Sequence, residues 1–299
     1  MMERPDIYSE FYNLLSQIPE GYVSTYGDLA IQLGDIVASR AVGEMLSENE
    51  HQDVLPCYRV VMSDGSIGGY THPYGVSEKI SRLRRDGISV VNGKVEELEK
   101  VRFNDFKSSF PLRRYRKQVM KLNIENEDMD VSLLRAIDVS YHGRIGVGVA
   151  VDIGPEIRYE INVMKVNSPY IPNYLYLREG EIVESLLSRE RLNIIDGNGI
   201  LHPFRRGIAT VAGADTGMAT VGVAKKILTG KIVGKDVILD GETVAKMMGK
   251  YPVSYGYGVP VEKAISLLKE QGDFPQTKIP DKLSRRYREF VLPLEDSVR

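Results

Sequence analysis

One cysteine, Cys57, stands in a chain of 299 residues, so no intrachain disulfide staples the fold, and a lone thiol fits a reducing compartment. No stretch approaches the ~18 consecutive apolar residues of a membrane helix, which argues against a spanning protein. Nor does the start, Met1-Met2-Glu3-Arg4-Pro5-Asp6, lead into an apolar core with a small-residue cleavage site, the mark of a secretory signal. A cytoplasmic protein without a membrane partner is expected. Internal repeats and low-complexity tracts are absent as well, which excludes solenoid and propeller arrays. The fold must rest on packing.

What is present is an ordinary globular composition, 42% hydrophobic and 27% charged. A single core stops growing near ~250 to 300 residues, so the length favours two domains. The net charge of -2 is uninformative, but its distribution is not: residues 1–92 hold 7 Lys/Arg against 13 Asp/Glu, and the remainder 32 against 28. From Lys107 to Lys121 six cations (Lys107, Arg113, Arg114, Arg116, Lys117, Lys121) occur with no acid. Such a run fits a solvated linker or helix face, and equally a contact with nucleic-acid phosphates. The expected domains are 1–92 and 122–299, with 93–121 as a basic linker or docking segment.

In the front domain Ile7, Phe11, Leu14 and Leu15 recur at helical spacing, and Ile18-Pro19-Glu20-Gly21 breaks that helix. A second helix follows Thr25-Tyr26-Gly27-Asp28, and a third is expected over residues 38–47 after the turn at Leu33-Gly34-Asp35. This is the pattern of a helix-turn-helix. Residues 59–62 read as a strand closing on a hairpin turn at Asp64-Gly65, and a short basic helix runs from Ser77 to Asp86-Gly87. The outline is a small winged helix. In the rear domain three β-rich runs, 133–141, 145–153 and 157–164, predict an antiparallel meander. A helix near 182–187, a strand over 192–195 ending at Asp196-Gly197, a further helix and a strand over 219–223 follow. Strands alternating with helices predict an α/β fold with a central mixed sheet.

A lone cysteine is more often a small buried hydrophobe than a nucleophile, but the flanks of Cys57 point elsewhere. Pro56-Cys57-Tyr58-Arg59-Val60, with Tyr26-Gly27, Ser39-Arg40-Ala41-Val42-Gly43, Asn49 and Gly68-Gly69-Tyr70, resembles the DNA-binding active-site domain of O6-alkylguanine-DNA alkyltransferases over about residues 5 to 90. The resemblance implies rotation of a damaged guanine out of the duplex and irreversible transfer of its alkyl group to sulfur. It makes Cys57 the nucleophile, sends Arg40 into the duplex in place of the flipped base, gives Tyr26 a role in extrusion or proton donation, and has Asn49 order the active-site loop. Two positions depart from the family: Tyr58 stands where it has histidine, and Asp86 where it usually has glutamate, the pair that relays the thiol proton through water. A phenol with a pKa of about 10 is a poor acceptor, so thiolate formation is expected to be slower or differently arranged.

Three acids draw attention in the rear domain: Asp138 in Ala136-Ile137-Asp138-Val139, Glu179 in Leu177-Arg178-Glu179-Gly180, and Asp196 in Ile195-Asp196-Gly197-Asn198-Gly199. Carboxylates on or ending apolar strands are costly unless paired or coordinated, so a shared metal is one account. Salt bridges or turn caps are the other, since Asp-Gly is common strand-end punctuation. The surroundings, Pro169-Tyr170-Ile171-Pro172, Leu177-Arg178-Glu179-Gly180, Asp196-Gly197-Asn198-Gly199, His202-Pro203, Gly207-Ile208-Ala209 and Gly222-Val223-Ala224-Lys225, resemble endonuclease V in the family's order over about residues 125 to 291.

That resemblance implies a ribonuclease H-like fold and incision at the second phosphodiester 3′ of deoxyinosine, the product of adenine deamination. It assigns Asp138, Asp196 and Glu179 to Mg²⁺, with Mn²⁺ able to substitute, places Tyr170 in a strand-separating wedge, and has Lys225 neutralise phosphate charge. His202, taken alone, reads as structural. Asn198 and Tyr257 stand where the family has histidines near its metal site. Together the two resemblances imply a fusion acting on double-stranded DNA that carries O6-alkylguanine or deoxyinosine. Two alternatives stand beside it: a front domain that recognises alkylated DNA without catalysis, and a nuclease that prefers inosine in RNA.

Overall fold

The computed structural model describes residues 2–51, 53–124, 128–271 and 273–295, with side chains to 290. It forms two compact units: Arg4–Lys117 with Asn167–Pro172, and Gln118–Val166 with the chain from Asn173 on and the first three residues. Among the described residues no helix is long and apolar enough to cross a membrane.

In the front unit α1 (Ile7–Ser16) is capped by Asp6, which accepts the Ser9 amide, and buries Ile7, Phe11, Leu14 and Leu15. β1 (Ser24–Thr25) leads into α2 (Tyr26–Leu33), opened by a capping box between Thr25 and Asp28 and ended by left-handed Gly34. A 3₁₀ turn (Ile36–Ala38) opens α3 (Ser39–Ser47), completing the helix-turn-helix. Cys57 heads a second 3₁₀ turn (Cys57–Arg59) that runs into β2 (Val60–Val61). The hairpin expected at Asp64-Gly65 does not fold β2 back on itself. β2 pairs in parallel with β1, and the turn delivers Ser66 to a bridge with Lys94. Next, α4 (Gly75–Arg85) starts ahead of Ser77.

Residues beyond 92 pack onto this unit. β3 (Val90–Val91) and β4 (Lys94–Val95) pair antiparallel, α5 (Leu98–Val101) follows, and Val23 bridges Arg102. The Arg102 guanidinium reaches Asp28 at 2.8 Å, and α6 (Pro111–Val119) buries Leu112 and Tyr115. Of the two expectations for this segment, linker or docking segment, its packing fits docking: Val95 joins the front core and Leu112, Tyr115 and Val119 form the buried stripe of α6.

The rear unit is built on a nine-stranded sheet. β5 (Leu133–His142), β6 (Ile145–Ile153) and β7 (Arg158–Lys165) form the expected meander. Then come α7 (Leu175–Ser185), β8 (Arg191–Asp196), α8 (Ile208–Thr216) and β9 (Thr220–Val223). A second meander, absent from the sequence reading, follows: β10 (Lys231–Val233), β11 (Asp236–Leu239), β12 (Glu242–Met248) and β13 (Tyr251–Tyr257). α9 (Val261–Glu270) and α10 (Lys278–Glu295) close the chain. The sheet order is β10-β11-β12-β13-β9-β8-β5-β6-β7, with β5–β8 and β8–β9 parallel and the remaining pairs antiparallel. Parallel neighbours need crossovers, and α7 and α8 supply them. The core on one face joins Leu134, Ala136, Leu192, Ile194, Val221 and Val223 to Ala264 and Leu268 of α9.

On β6, Gly146 and Gly148 admit α7 to close range: a Cβ at Gly148 would lie 2.2 Å from Ile182 Cγ2 and 2.8 Å from Leu186 Cδ1. Because this approach seats the helix that carries Glu179, Gly148→Ala is expected to lower rear-unit stability by about 1–3 kcal/mol. Urea denaturation followed by circular dichroism measures it, and an unchanged midpoint would show that α7 shifts freely.

Candidate active sites

The rear site follows from strand register. In the parallel pair β5–β8, Ile137 lies opposite Ile195, so the next residues, Asp138 and Asp196, end up side by side. Asp196 lies opposite Val223 of β9, two residues before Lys225. The loop after Asp196 passes tightly beneath β13: a Cβ on Gly199 would fall 1.9 Å from the Tyr255 carbonyl oxygen, and the Gly199 amide donates to Ser254 Oγ at 2.7 Å. Only glycine fits there, which accounts for the Gly-rich motif after the acid.

α10 supplies a residue that the sequence reading missed. Asp281, in its first turn, brings a carboxylate oxygen within 4.8 Å of those of Asp138 and Asp196. Three turns of sequence signal would not reveal it, because an acid in the first turn of a helix is usual. From the same helix Ser284, fully buried, donates to Asp138 Oδ2 at 2.7 Å. Lys225 Nζ lies 2.7 Å from Asp196 and 3.0 Å from Asp281. Burial draws its pKa down, but the hydrogen bonds to these two carboxylates outweigh that and hold it above the lysine range. A cleft of about 160 Å³ opens here, lined by Asp196, Lys225, Tyr251, Lys278 and Asp281 among others.

Glu179, on α7, lies outside that set of three ligand atoms but faces it. Burial first, then the Asp138 charge, pushes its carboxyl up to about 8, while the facing Tyr141 phenol opposes the rise. Asp138 is likewise pushed up to about 7, by burial and then by Asp196. Buried acids this close cannot all ionise without a countercharge. An all-oxygen set of carboxylates with Asp138 held by a single serine suits a hard divalent cation such as Mg²⁺ or Mn²⁺. Tyr257 is displaced from the position expected of it: antiparallel pairing sets it opposite Thr220, at the other end of β9 from Val223 and Asp196. Tyr170 belongs by its contacts to the front unit's segment Asn167–Pro172 and is exposed.

In the front unit Cys57 is 4% exposed. The Tyr26 and Tyr70 phenols and the Lys79 amine are coupled electrostatically to its sulfur. Burial raises both phenols, Tyr70 to about 12. Lys79 is fully buried, and its Nζ donates to the carbonyls of Val60, at 2.7 Å, and Gly69, at 3.2 Å; burial pulls its pKa down to about 8. The sequence reading overlooked Lys79. Its signal was a lysine in the apolar stripe with Ile80 and Leu83 of an otherwise basic helix.

Tyr58 donates to Asp86 Oδ1 at 3.3 Å, and Asp86 Oδ2 is held by Arg59 Nε at 2.6 Å. Burial raises the Tyr58 phenol, which makes it a still poorer proton acceptor. Asn49 is buried; its Oδ1 accepts the His51 amide, and its Nδ2 finds no partner among the described residues. Arg40, second residue of α3, is exposed.

These features define a two-domain α/β protein in which a helix-turn-helix unit with a buried cysteine precedes a mixed-sheet unit with an acidic centre where the parallel pairing of β5 with β8 ends. Residues 6–88 match the family "6-O-methylguanine DNA methyltransferase, DNA binding domain", and residues 114–281 match "Endonuclease V". The chain belongs to the endonuclease V family, in a form that carries an alkyltransferase DNA-binding domain ahead of the nuclease domain. It is 43% identical to a bifunctional methyltransferase/endonuclease of Thermoplasma volcanium, over 90% of this chain and 85% of that one. A protein of the same description from Picrophilus torridus is 42% identical, over 91% and 92%. The solved endonuclease V of Ciona intestinalis, in complex with a 24mer DNA containing an inosine followed by a ribo-adenosine, shares the nuclease fold with a TM-score of 0.53. The match has 22% identity and covers 60% of this chain and 98% of that one.

His202, in the loop after β8, is 5% exposed, and its Nδ1 accepts the Phe204 amide at 3.2 Å. Burial lowers its pKa to about 4. Between that value and the ordinary ~6.5 the unfolded chain binds the extra proton, so stability is lost as pH falls through this window. His202→Asn, which keeps an acceptor but cannot titrate, should flatten the loss by up to about 3 kcal/mol. Parallel denaturation curves for both proteins from pH 7 to 4 would exclude the effect.

Proposed function

We propose that the chain repairs two DNA lesions: the front unit transfers an alkyl group from O6-alkylguanine to Cys57, and the rear unit incises at the second phosphodiester 3′ of deoxyinosine. The observation that carries the nuclease reading is the convergence of Asp138, Asp196 and Asp281. These three hold the divalent cation, with Glu179 completing the acidic surround. When bound, Mg²⁺ supplies Lewis-acid activation of water and neutralises charge on the scissile phosphate. Ser284 fixes the rotamer of Asp138 through its hydrogen bond. Lys225, between Asp196 and Asp281, presents a fixed positive charge to the phosphate. Tyr170, exposed among prolines, serves as the strand-separating wedge. The products are a 5′-phosphate and a 3′-hydroxyl.

At the front site Arg40 fills the space left by the flipped guanine, Tyr26 supports its extrusion, and Asn49 holds the loop before the nucleophile. The Cys57 thiol loses its proton, sulfur bonds to the alkyl carbon, the C–O6 bond breaks, and guanine leaves with a proton in place of the alkyl group. Tyr58 cannot serve as imidazole does. Lys79, buried and with its pKa drawn down to about 8, is the group assigned to take up that proton and return it.

Each reading has its own test. Asp138→Ala, Asp196→Ala and Asp281→Ala should each reduce Mg²⁺-dependent cleavage of a deoxyinosine duplex by at least ~10²-fold and abolish the Mn²⁺-induced rise in Tm. Full retention of both in any two variants would remove the nuclease assignment, and a riboinosine substrate run in parallel separates DNA from RNA preference. For the front unit, intact and peptide mass after incubation with an O6-methylguanine duplex should show one methyl on Cys57. Binding without a mass gain would make the unit a recognition module. Lys79→Arg is permanently protonated and cannot take up the thiol proton, so transfer at saturating DNA should slow by ~10²-fold; an unaltered rate would exclude Lys79 from proton transfer.

A further inference from the structure

The front unit faces an electrostatic problem as a DNA-binding module, because residues 1–92 hold 7 Lys/Arg against 13 Asp/Glu. Duplex DNA repels such a surface. Residues 93–117 redress this, with 8 Lys/Arg against 4 Asp/Glu, and they lie outside the matched alkyltransferase segment of 6–88. Their cations are gathered on α6, whose Arg113, Arg114, Arg116 and Lys117 have no acid among them.

This helix is seated at one place in the fold. Gly34, at φ +111°, ends α2, and a Cβ there would lie 2.7 Å from the Arg113 amide nitrogen and 3.4 Å from Leu112 Cβ. Only glycine satisfies both the left-handed backbone and the close approach. The Ser108 hydroxyl also donates to the Gln32 carbonyl, just before the turn. Arg116 reaches Asp35 at 3.7 Å, and Asp35 caps the 3₁₀ turn that runs directly into α3 and Arg40. With Leu112 and Tyr115 buried, Arg113 and Lys117 remain exposed and Arg116 partly so. A cleft of about 220 Å³ is lined by Ile31, Gly34, Asp35, Ile36, Arg113 and Arg116. Two carboxylates bear on the group: Asp35 on Arg116, and Glu10 on Arg114 at 3.3 Å. The cations outnumber them.

We propose that the Arg113, Arg116 and Lys117 face of α6 grips the phosphate backbone of the same duplex that the helix-turn-helix engages, beside the turn that launches Arg40. Duplex DNA is the partner the geometry favours, because the cations border the segment that carries the residue assigned to enter a duplex. The inference rests on the reading of the front unit as a binder of alkylated DNA. It assigns positioning to α6 and lesion recognition to α3, so the two contributions separate experimentally.

The test is fluorescence anisotropy of the full-length protein, without divalent metal, on a duplex with one O6-methylguanine and no deoxyinosine, from 50 to 200 mM salt. Arg113→Ala/Arg116→Ala/Lys117→Ala should lower the slope of log K against log salt by about 2–3, since each phosphate contact contributes ~0.9. At 50 mM salt, affinity should fall at least ~10-fold, equally for damaged and undamaged duplexes, whereas Arg40→Ala should mainly reduce discrimination between them. Lys117→Glu, at an exposed position, should weaken binding in the same direction if the triple variant fails to fold. An unchanged salt slope overturns the proposal, as does lost affinity for single-stranded RNA with duplex binding intact. Absence of methyl transfer by the unaltered protein would sink the catalytic reading while leaving this binding test able to decide.

Discussion

Parallel pairing of β5 with β8 is the constraint on which the rear unit depends. Register sets Asp138, midway along β5, beside Asp196 at the end of β8, where desolvation and the neighbouring Asp196 charge push the Asp138 carboxyl up. The neighbouring structure answers that cost. Ser284 donates to Asp138, Lys225 spans Asp196 and Asp281, and α10 must dock in one position on the sheet to bring both Ser284 and Asp281 to the strands. A sheet without this register would leave three acids in ordinary surface positions and no cation site.

Glycine enforces the same geometry from below and above. Removal of side chains on β6 lets α7 settle against the sheet with Glu179 directed at the acids, and the loop after Asp196 slides under β13 because Gly199 presents no Cβ to the Tyr255 carbonyl. Both approaches exchange side-chain contacts for backbone proximity, and both aim a carboxylate. The strands therefore set separation, while the glycines set depth.

The front unit solves a different problem, that of burying a thiol among polar groups. The Tyr26 and Tyr70 phenols and the buried Lys79 amine lie close enough to Cys57 to feel its charge. Lys79 is held by the carbonyls of Val60, three residues past Cys57, and Gly69, next to Tyr70. Its two hydrogen bonds tie the strand after the cysteine to the loop that carries Tyr70. Asp86, by contrast, is committed to Arg59 and to the Tyr58 hydroxyl.

From the sequence alone came the helix-turn-helix, the first meander, the alternation of strand and helix in the rear unit, and the acids at Asp138 and Asp196. Each is local: a period, a cap or a strand end within a few residues. Tertiary structure alone decided what depends on distant partners. Asp281 joins acids more than 80 residues away, which no spacing announces. Lys79 differs from the exposed cations of its helix only in what packs around it, and Tyr257, adjacent by motif, lies at the far end of β9 because β13 runs antiparallel to it. The segment after residue 92 reads as either a linker or a docking segment because two of its ties, the Arg102–Asp28 ion pair and the seat at Gly34, leave no pattern in the chain. Periodicity records which face of an element is buried; it does not record what that face is buried against.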